Sequence, residues 1–169
     1  VERVSGKEFV EYLREKFLDK IGFSKEAYCL KCPGGHAWSD SALICKPTDL
    51  LKVAQFCMNN GKWDGEQILN EEFVTAATSK QIANSLNGLN DHDAQGYGYL
   101  IWRTFDNSFF FNGMGCQFAV CVPKTDIILI YNGELYNTRE LRQELVGELD
   151  DVAVGGGLLP DLLLSCPIQ

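Results

Sequence analysis

The sequence predicts an α+β fold, in which helices come first and an antiparallel sheet of three to four strands packs with them. Three observations lead there. Apolar residues recur at helical spacing as far as Ala77. Beyond a polar stretch, Asn84 to Gln95, the period shortens to that of strands between Tyr97 and Tyr131. Helical spacing then returns from Leu135 to Leu149 through Leu141 and Leu145, a helix expected to cover one face of the sheet.

The elements follow in order. Ser5-Gly6-Lys7-Glu8 has the spacing of a capping box, so a helix is expected to start there. Phe9, Leu13, Phe17 and Ile21, with Val10 and Leu18 beside them, form one apolar stripe, and Gly22 supplies the left-handed stop. Phe23 to Trp38 mixes Pro33, Gly34, Gly35 and polar residues without periodicity, as a surface loop does. Pro47-Thr48-Asp49 opens a second helix with Leu50, Val53, Ala54 and Cys57 on one face, and Asn59-Asn60-Gly61 ends it. Trp63-Asp64-Gly65-Glu66 is a tight turn, and Asn70-Glu71-Glu72 starts a short third helix. Tyr97 to Trp102, Ser108 to Phe111, Gln117 to Val122 and Ile127 to Tyr131 are β-branched or aromatic runs separated by turn residues, which suggests a meander. Within it, alternation places Phe109 and Phe111 on one face and Phe110 on the other, so at least one face is core, and the aromatic run is also a candidate pocket lining.

Composition bounds the function. A chain of 169 residues buries about two thirds of the surface its unfolded form exposes, enough for one domain without a staple. Hydrophobic residues at 46% and charged residues at 22% fit a soluble globular chain. The net charge of −8 repels phosphate backbones and the basic residues form no patch, so nucleic acid is not an expected partner. No apolar run approaches the roughly 18 residues that cross a bilayer. Seven cysteines, an odd number without regular spacing, fit a reducing compartment and point to a cytoplasmic setting. The opening at Val1, with no basic and apolar leader, reads as a cut made inside a longer protein.

Several stretches in order resemble one family. Pro47-Thr48-Asp49-Leu50-Leu51-Lys52, followed by Asn60-Gly61-Lys62-Trp63-Asp64-Gly65-Glu66-Gln67-Ile68-Leu69, is similar to a run found in class C β-lactamases and D-alanyl-D-alanine peptidases. Gly96-Tyr97-Gly98-Tyr99 with Trp102 resembles that family's G-Y-G-Y-x-x-W strand, and Asn112-Gly113-Met114-Gly115-Cys116-Gln117 through Pro123 and Asp126 resembles its next hairpin. The opening helix, Val4 to Phe23, is also similar, and together these cover roughly residues 1 to 132.

The resemblance implies a β-lactamase/transpeptidase-like fold, with residues 1–151 as the carboxyl-terminal portion of such a domain and 152–169 as a tail. It implies acyl transfer on an amide or ester, by a serine activated by a lysine one helical turn away in Ser-x-x-Lys and assisted by the tyrosine of Tyr-x-Asn. Neither motif occurs here, so no catalytic residue is assigned to this chain, which is expected to be silent alone. The remaining element is the strand that closes the pocket, usually Lys-Thr-Gly or His-x-Gly. Aligned by Gly113, Phe111 takes the cation's position, Asn112 the threonine's and Met114 the oxyanion amide's, with Gly115 following. Phe111, Asn112, Gly113, Met114 and Gly115 are therefore the candidate pocket wall, without the cation that would meet a β-lactam carboxylate. No cofactor is implied.

Cys29-Leu30-Lys31-Cys32 with His36 has the spacing of half a zinc site, but the other half is not found, and free thiols are the preferred reading. Lys124-Thr125-Asp126 imitates Lys-Thr-Gly but follows Pro123 and lacks the glycine, so it reads as a turn; Ser39-Asp40-Ser41 reads as a polar loop. Tyr131-Asn132-Gly133-Glu134-Leu135-Tyr136-Asn137-Thr138-Arg139-Glu140-Leu141 resembles a segment of class II glutamine amidotransferases, in which Asn-Gly forms the oxyanion hole; those enzymes need an amino-terminal cysteine, whereas this chain begins with Val1. A further alternative is a self-associating module, because strands lacking partners leave open edges that favour a homo-oligomer.

Overall fold

A computed structural model describes residues 1–39, 41–84, 93–113 and 117–132. A first helical turn, α1 (Glu2–Ser5), is closed by Gly6. Helix α2 (Phe9–Leu13) then starts from Glu8, whose carboxylate accepts from the amides of Val10 and Glu11. The cap is thus Glu8 rather than the Ser5–Glu8 box that spacing predicted. Ser5 ends the preceding turn, and its hydroxyl bonds the Lys7 backbone instead. The helix widens to a π turn from Arg14 to Leu18, and at the left-handed Gly22 the Phe23 amide returns to the Leu18 carbonyl.

The segment after Phe23 is not wholly a loop. Strand β1 (Tyr28–Cys29) pairs antiparallel with β2 (Leu43–Ile44), and Lys31 bridges Ala37. Helix α3 (Pro47–Met58) follows, with proline preset at its first position. Phe56 joins Val10, Leu18, Ile21 and Phe23 in one buried cluster, while Ala54 joins Ile101, Phe109, Ala119 and Cys121 in a second. Cys57 packs against both, so α3 ties the helical half to the sheet. The stripe read from Leu50, Val53, Ala54 and Cys57 missed Phe56 and Asp49, both fully buried. A hairpin of β3 (Lys62–Trp63) and β4 (Glu66–Gln67) turns through Asp64 and Gly65, both at positive φ as a type I′ turn requires. Helix α4 (Glu71–Thr78) starts from Asn70, whose side chain accepts from the Phe73 amide at 3.0 Å.

The main sheet is four-stranded and antiparallel, in the order β5 (Trp102–Arg103), β6 (Phe109–Gly113), β7 (Gln117–Val122), β8 (Ile127–Asn132). The run from Tyr97 to Trp102, expected as a strand, folds back on itself. The Gly98 amide bonds the Ile101 carbonyl, Leu100 sits at φ 60°, and Tyr97 bridges both Ile82 and Trp102. Its cause is close packing on α4, since a Cβ at Gly98 would lie 2.0 Å from the Ala77 carbonyl oxygen. Alternation along β6 is as expected. Phe109 and Phe111 lie on the α3 side with Ala119 and Cys121, and Phe110 lies on the other side with Phe118 and Val120, stacked on Trp102 at 6.1 Å. Helix α3 crosses β7 and β8. The helix expected over Leu135 to Leu149, and the tail 152–169, lie outside the described residues. Among the described residues no helix is long and apolar enough to cross a membrane.

Candidate functional site

The described part of the candidate wall is the end of β6. Phe111 pairs with Ala119, Asn112 with Phe118 and Gly113 with Gln117, whereas β5 reaches only Phe109 and Phe110. The last three residues of β6 therefore overhang their neighbour and, among the described residues, carry a strand on one side alone. Phe111 is half-buried and packs into the cluster under α3; Asn112 is exposed on the opposite face. At Gly113 an added Cβ would come within 3.0 Å of the Gln117 side-chain oxygen, which keeps this end of the strand thin. Such an overhang offers backbone donors and acceptors to an extended ligand. Met114 and Gly115 lie outside the described residues.

At the other end of β6 from the overhang, Arg103 of β5, paired with Phe109, donates to the Thr78 carbonyl at 2.7 Å and to Asn107 at 2.6 Å, fastening the sheet to the end of α4. Desolvation lowers the Arg103 pKa, though a guanidinium keeps its proton. Two thiols between α3 and β7 are held protonated. Burial pushes Cys57 up to about 11, and burial followed by the nearness of Cys57 drives Cys121 higher.

Sequence reasoning missed the role of a buried, hydrogen-bonded carboxylate. Asp49 is 0% exposed, and it accepts the Ser24 amide at 2.9 Å, the Ser24 hydroxyl at 2.5 Å and the Lys46 amide at 3.1 Å. Burial raises its pKa, but these bonds and the Lys52 ammonium outweigh that and hold it below the ordinary aspartate value. The same loop is gripped from the other side by Arg14, whose guanidinium donates to the carbonyls of Ser24, Lys25 and Ala27. Asp49 is thus a clamp, and its burial closes it to a ligand. Its position at the third residue of α3, reaching back to the Lys46 amide, was the available signal.

Other candidate chemistry disperses. Cys29 is buried in the first cluster, while His36 is exposed and sits 3.1 Å from the Glu2 carboxylate. Among the described residues no three His, Cys, Asp or Glu gather as metal ligands. Glu2 also accepts the Phe9 and Ala37 amides, and the Phe9 bond is the chief cause of its lowered pKa. It lines a cleft of about 330 Å³ with Arg3, Phe9 and His36. A wider groove of about 860 Å³ follows α4 past Asn70, Glu71, Thr75 and Ser79. Among the described residues neither shows a serine hydroxyl bonded to a basic side chain: Ser79, for one, donates to the Thr75 carbonyl. Ser108 is 0% exposed with its hydroxyl unpartnered, out of reach of any substrate. Lys124-Thr125-Asp126 is a turn between β7 and β8, with the Thr125 amide on the Val122 carbonyl. Asn132 ends β8 opposite Gln117; its glutamine-amidotransferase-like continuation, Gly133 and Glu134, lies outside the described residues, as does Asp40.

The antiparallel sheet with α3 on one face is a mixed α+β fold of the β-lactamase/transpeptidase kind. Among the solved structures it is similar to is a Bacillus anthracis protein described as a 6-aminohexanoate-dimer hydrolase, at a TM-score of 0.67 and 17% identity over 90% of this chain. This chain spans 41% of that protein's length. No family model and no curated protein matches the sequence.

Proposed function

We propose that this chain is the carboxyl-terminal portion of a serine β-lactamase-like hydrolase that works by acyl transfer on a small amide or ester, and that alone it is catalytically silent. The observation that carries this reading is the fold match over 90% of the chain, across the stretch in which the family-like motifs occur in order. In this reading the overhanging end of β6 is one wall of the acyl pocket, and the nucleophilic serine with its lysine comes from a part of the domain that this chain does not contain. In the same reading Phe111 takes the position of the cation that would meet a carboxylate and Asn112 that of the threonine, so neutral substrates are favoured over penicillins. The neighbour's description makes the 6-aminohexanoate dimer, a linear amide, the first substrate to try.

The test is to prepare the longest natural protein that contains this sequence, alongside this chain alone, and to treat both with a fluorophosphonate, a short-chain ester, a chromogenic cephalosporin and the linear amide. The longer protein should be labelled at a serine of Ser-x-x-Lys and should hydrolyse the ester or amide, while this chain does neither. Turnover by this chain that survives repeated purification would refute its silence. A longer protein with neither Ser-x-x-Lys nor labelling would refute the hydrolase assignment.

A further inference from the structure

The β1–β2 hairpin is apolar on both of its faces. Its strands lie in two unbroken apolar runs, Ala27-Tyr28-Cys29-Leu30 and Ala42-Leu43-Ile44-Cys45. A sheet with one wet face shows alternation instead, and continuous apolar runs belong to strands covered on both sides. On the inner face Cys29 is buried in the first cluster and Ala37 packs against it. Both are small, and the larger side chains point the other way. Tyr28 pairs with Ile44, alternation puts Leu30 beside Tyr28, and the Trp38 amide bonds the Leu30 carbonyl at 2.8 Å. Tyr28, Leu30, Trp38 and Ile44 are each between 44% and 53% exposed. Four large apolar residues side by side on one face mark a contact surface, where scattered ones would not.

We infer that this face seats the part of the domain that precedes Val1, a segment with an apolar side that lies against Trp38 and its neighbours. The inference rests on the reading of this chain as the carboxyl-terminal portion of a larger domain. The place where the chain enters selects that occupant. Val1 lines the cleft of about 330 Å³ together with Ala37 and Ser39, the residues on either side of Trp38. A segment that leads into Val1 therefore arrives at the edge of the face and needs little loop to reach it. The entry is also fastened there, because Glu2 of α1 accepts the Ala37 amide at 3.3 Å. The other end of the described fold, Asn132, stands on the main sheet, which packs on the second cluster rather than the first. Tyr28 and Trp38 suit such a contact, since each buries a wide ring and keeps one polar atom for the rim.

Two probes test it, Leu30→Cys and the photo-cross-linker p-benzoylphenylalanine in place of Trp38, each placed in this chain and in the longest natural protein that contains it. Both positions face outward, so the circular dichroism spectrum of this chain should stay unchanged. Peptide mass spectrometry should show residue 30 alkylated by iodoacetamide about tenfold more slowly in the longer protein than in this chain. Irradiation of the longer protein should join residue 38 to a residue that precedes Val1. Equal alkylation rates in the two proteins overturn the inference. So does irradiation that joins residue 38 to residues 133–169, to a second copy or to nothing, with isotope-labelled and unlabelled protein mixed to tell a second copy apart. Fluorophosphonate labelling judges the hydrolase assignment separately, so a labelled longer protein whose hairpin face stays open defeats this inference alone.

Discussion

Replacing Asp49 by alanine would remove the acceptor of the Ser24 amide, the Ser24 hydroxyl and the Lys46 amide, three part-buried hydrogen bonds. A hydrogen bond to a charged acceptor contributes about 1.5–3 kcal/mol, and an abandoned buried donor costs about 1–3 kcal/mol. The Ser24 hydroxyl can rotate and water can reach part of the gap, so the loss should be about 3 kcal/mol, or about 6–12 °C in melting temperature for a domain of this size. Asp49→Asn keeps the shape and one acceptor but turns an amide toward a donor, and should lose about half as much. The sign of the pH dependence follows from the lowered pKa. A carboxyl that titrates lower in the folded state contributes its full stability above the unfolded value, and loses that contribution as the pH falls through the folded value. The gap between the parent and Asp49→Asn should therefore narrow below about pH 4. Thermal unfolding followed by circular dichroism at neutral and acidic pH measures both. A drop under about 2 °C for Asp49→Ala, or a gap indifferent to pH, would refute the clamp.

Two further outcomes follow from packing. Gly98→Ala would force a methyl to within 2.0 Å of the Ala77 carbonyl oxygen, so the chain reversal or the end of α4 must move, and the urea midpoint should report a loss of at least about 2 kcal/mol. A loss under about 0.5 kcal/mol would mean that the reversal is not seated on α4. Cys57, pushed up to about 11, is thiolate in only about one molecule in a thousand at pH 8. Iodoacetamide should therefore spare Cys57 and Cys121 in the native protein and modify both in urea, as intact-mass spectrometry will show; rapid native alkylation of either would mean that the α3–β7 contact is open.

Elements set by local chemistry were legible in the sequence. The Asp64-Gly65 turn, the Asn70 cap and the alternation of Phe109, Phe110 and Phe111 each depend on neighbours a few residues away, and each stands where spacing placed it. What stayed hidden depends on distant residues. Tyr97 to Trp102 has strand composition but is bent by contact with α4, to which nothing in its own period refers. Ser5 and Glu8 satisfy a capping-box pattern, yet a preceding turn takes Ser5 first. Phe56 escaped the stripe count because α3 faces two clusters rather than one. The overhang of β6 beyond β5 was not legible, because it depends on where that short partner strand stops.

Arg14 holds its loop by peptide oxygens, which every amino acid carries, rather than by anything peculiar to the residues it touches. The outline of that surface is consequently encoded one helix away. Lys25 and Glu26 are solvent-facing and their side chains make only exposed ion pairs, with Asp19 and Lys46, which contribute little to stability, so the exterior there can change its chemical character while keeping its shape.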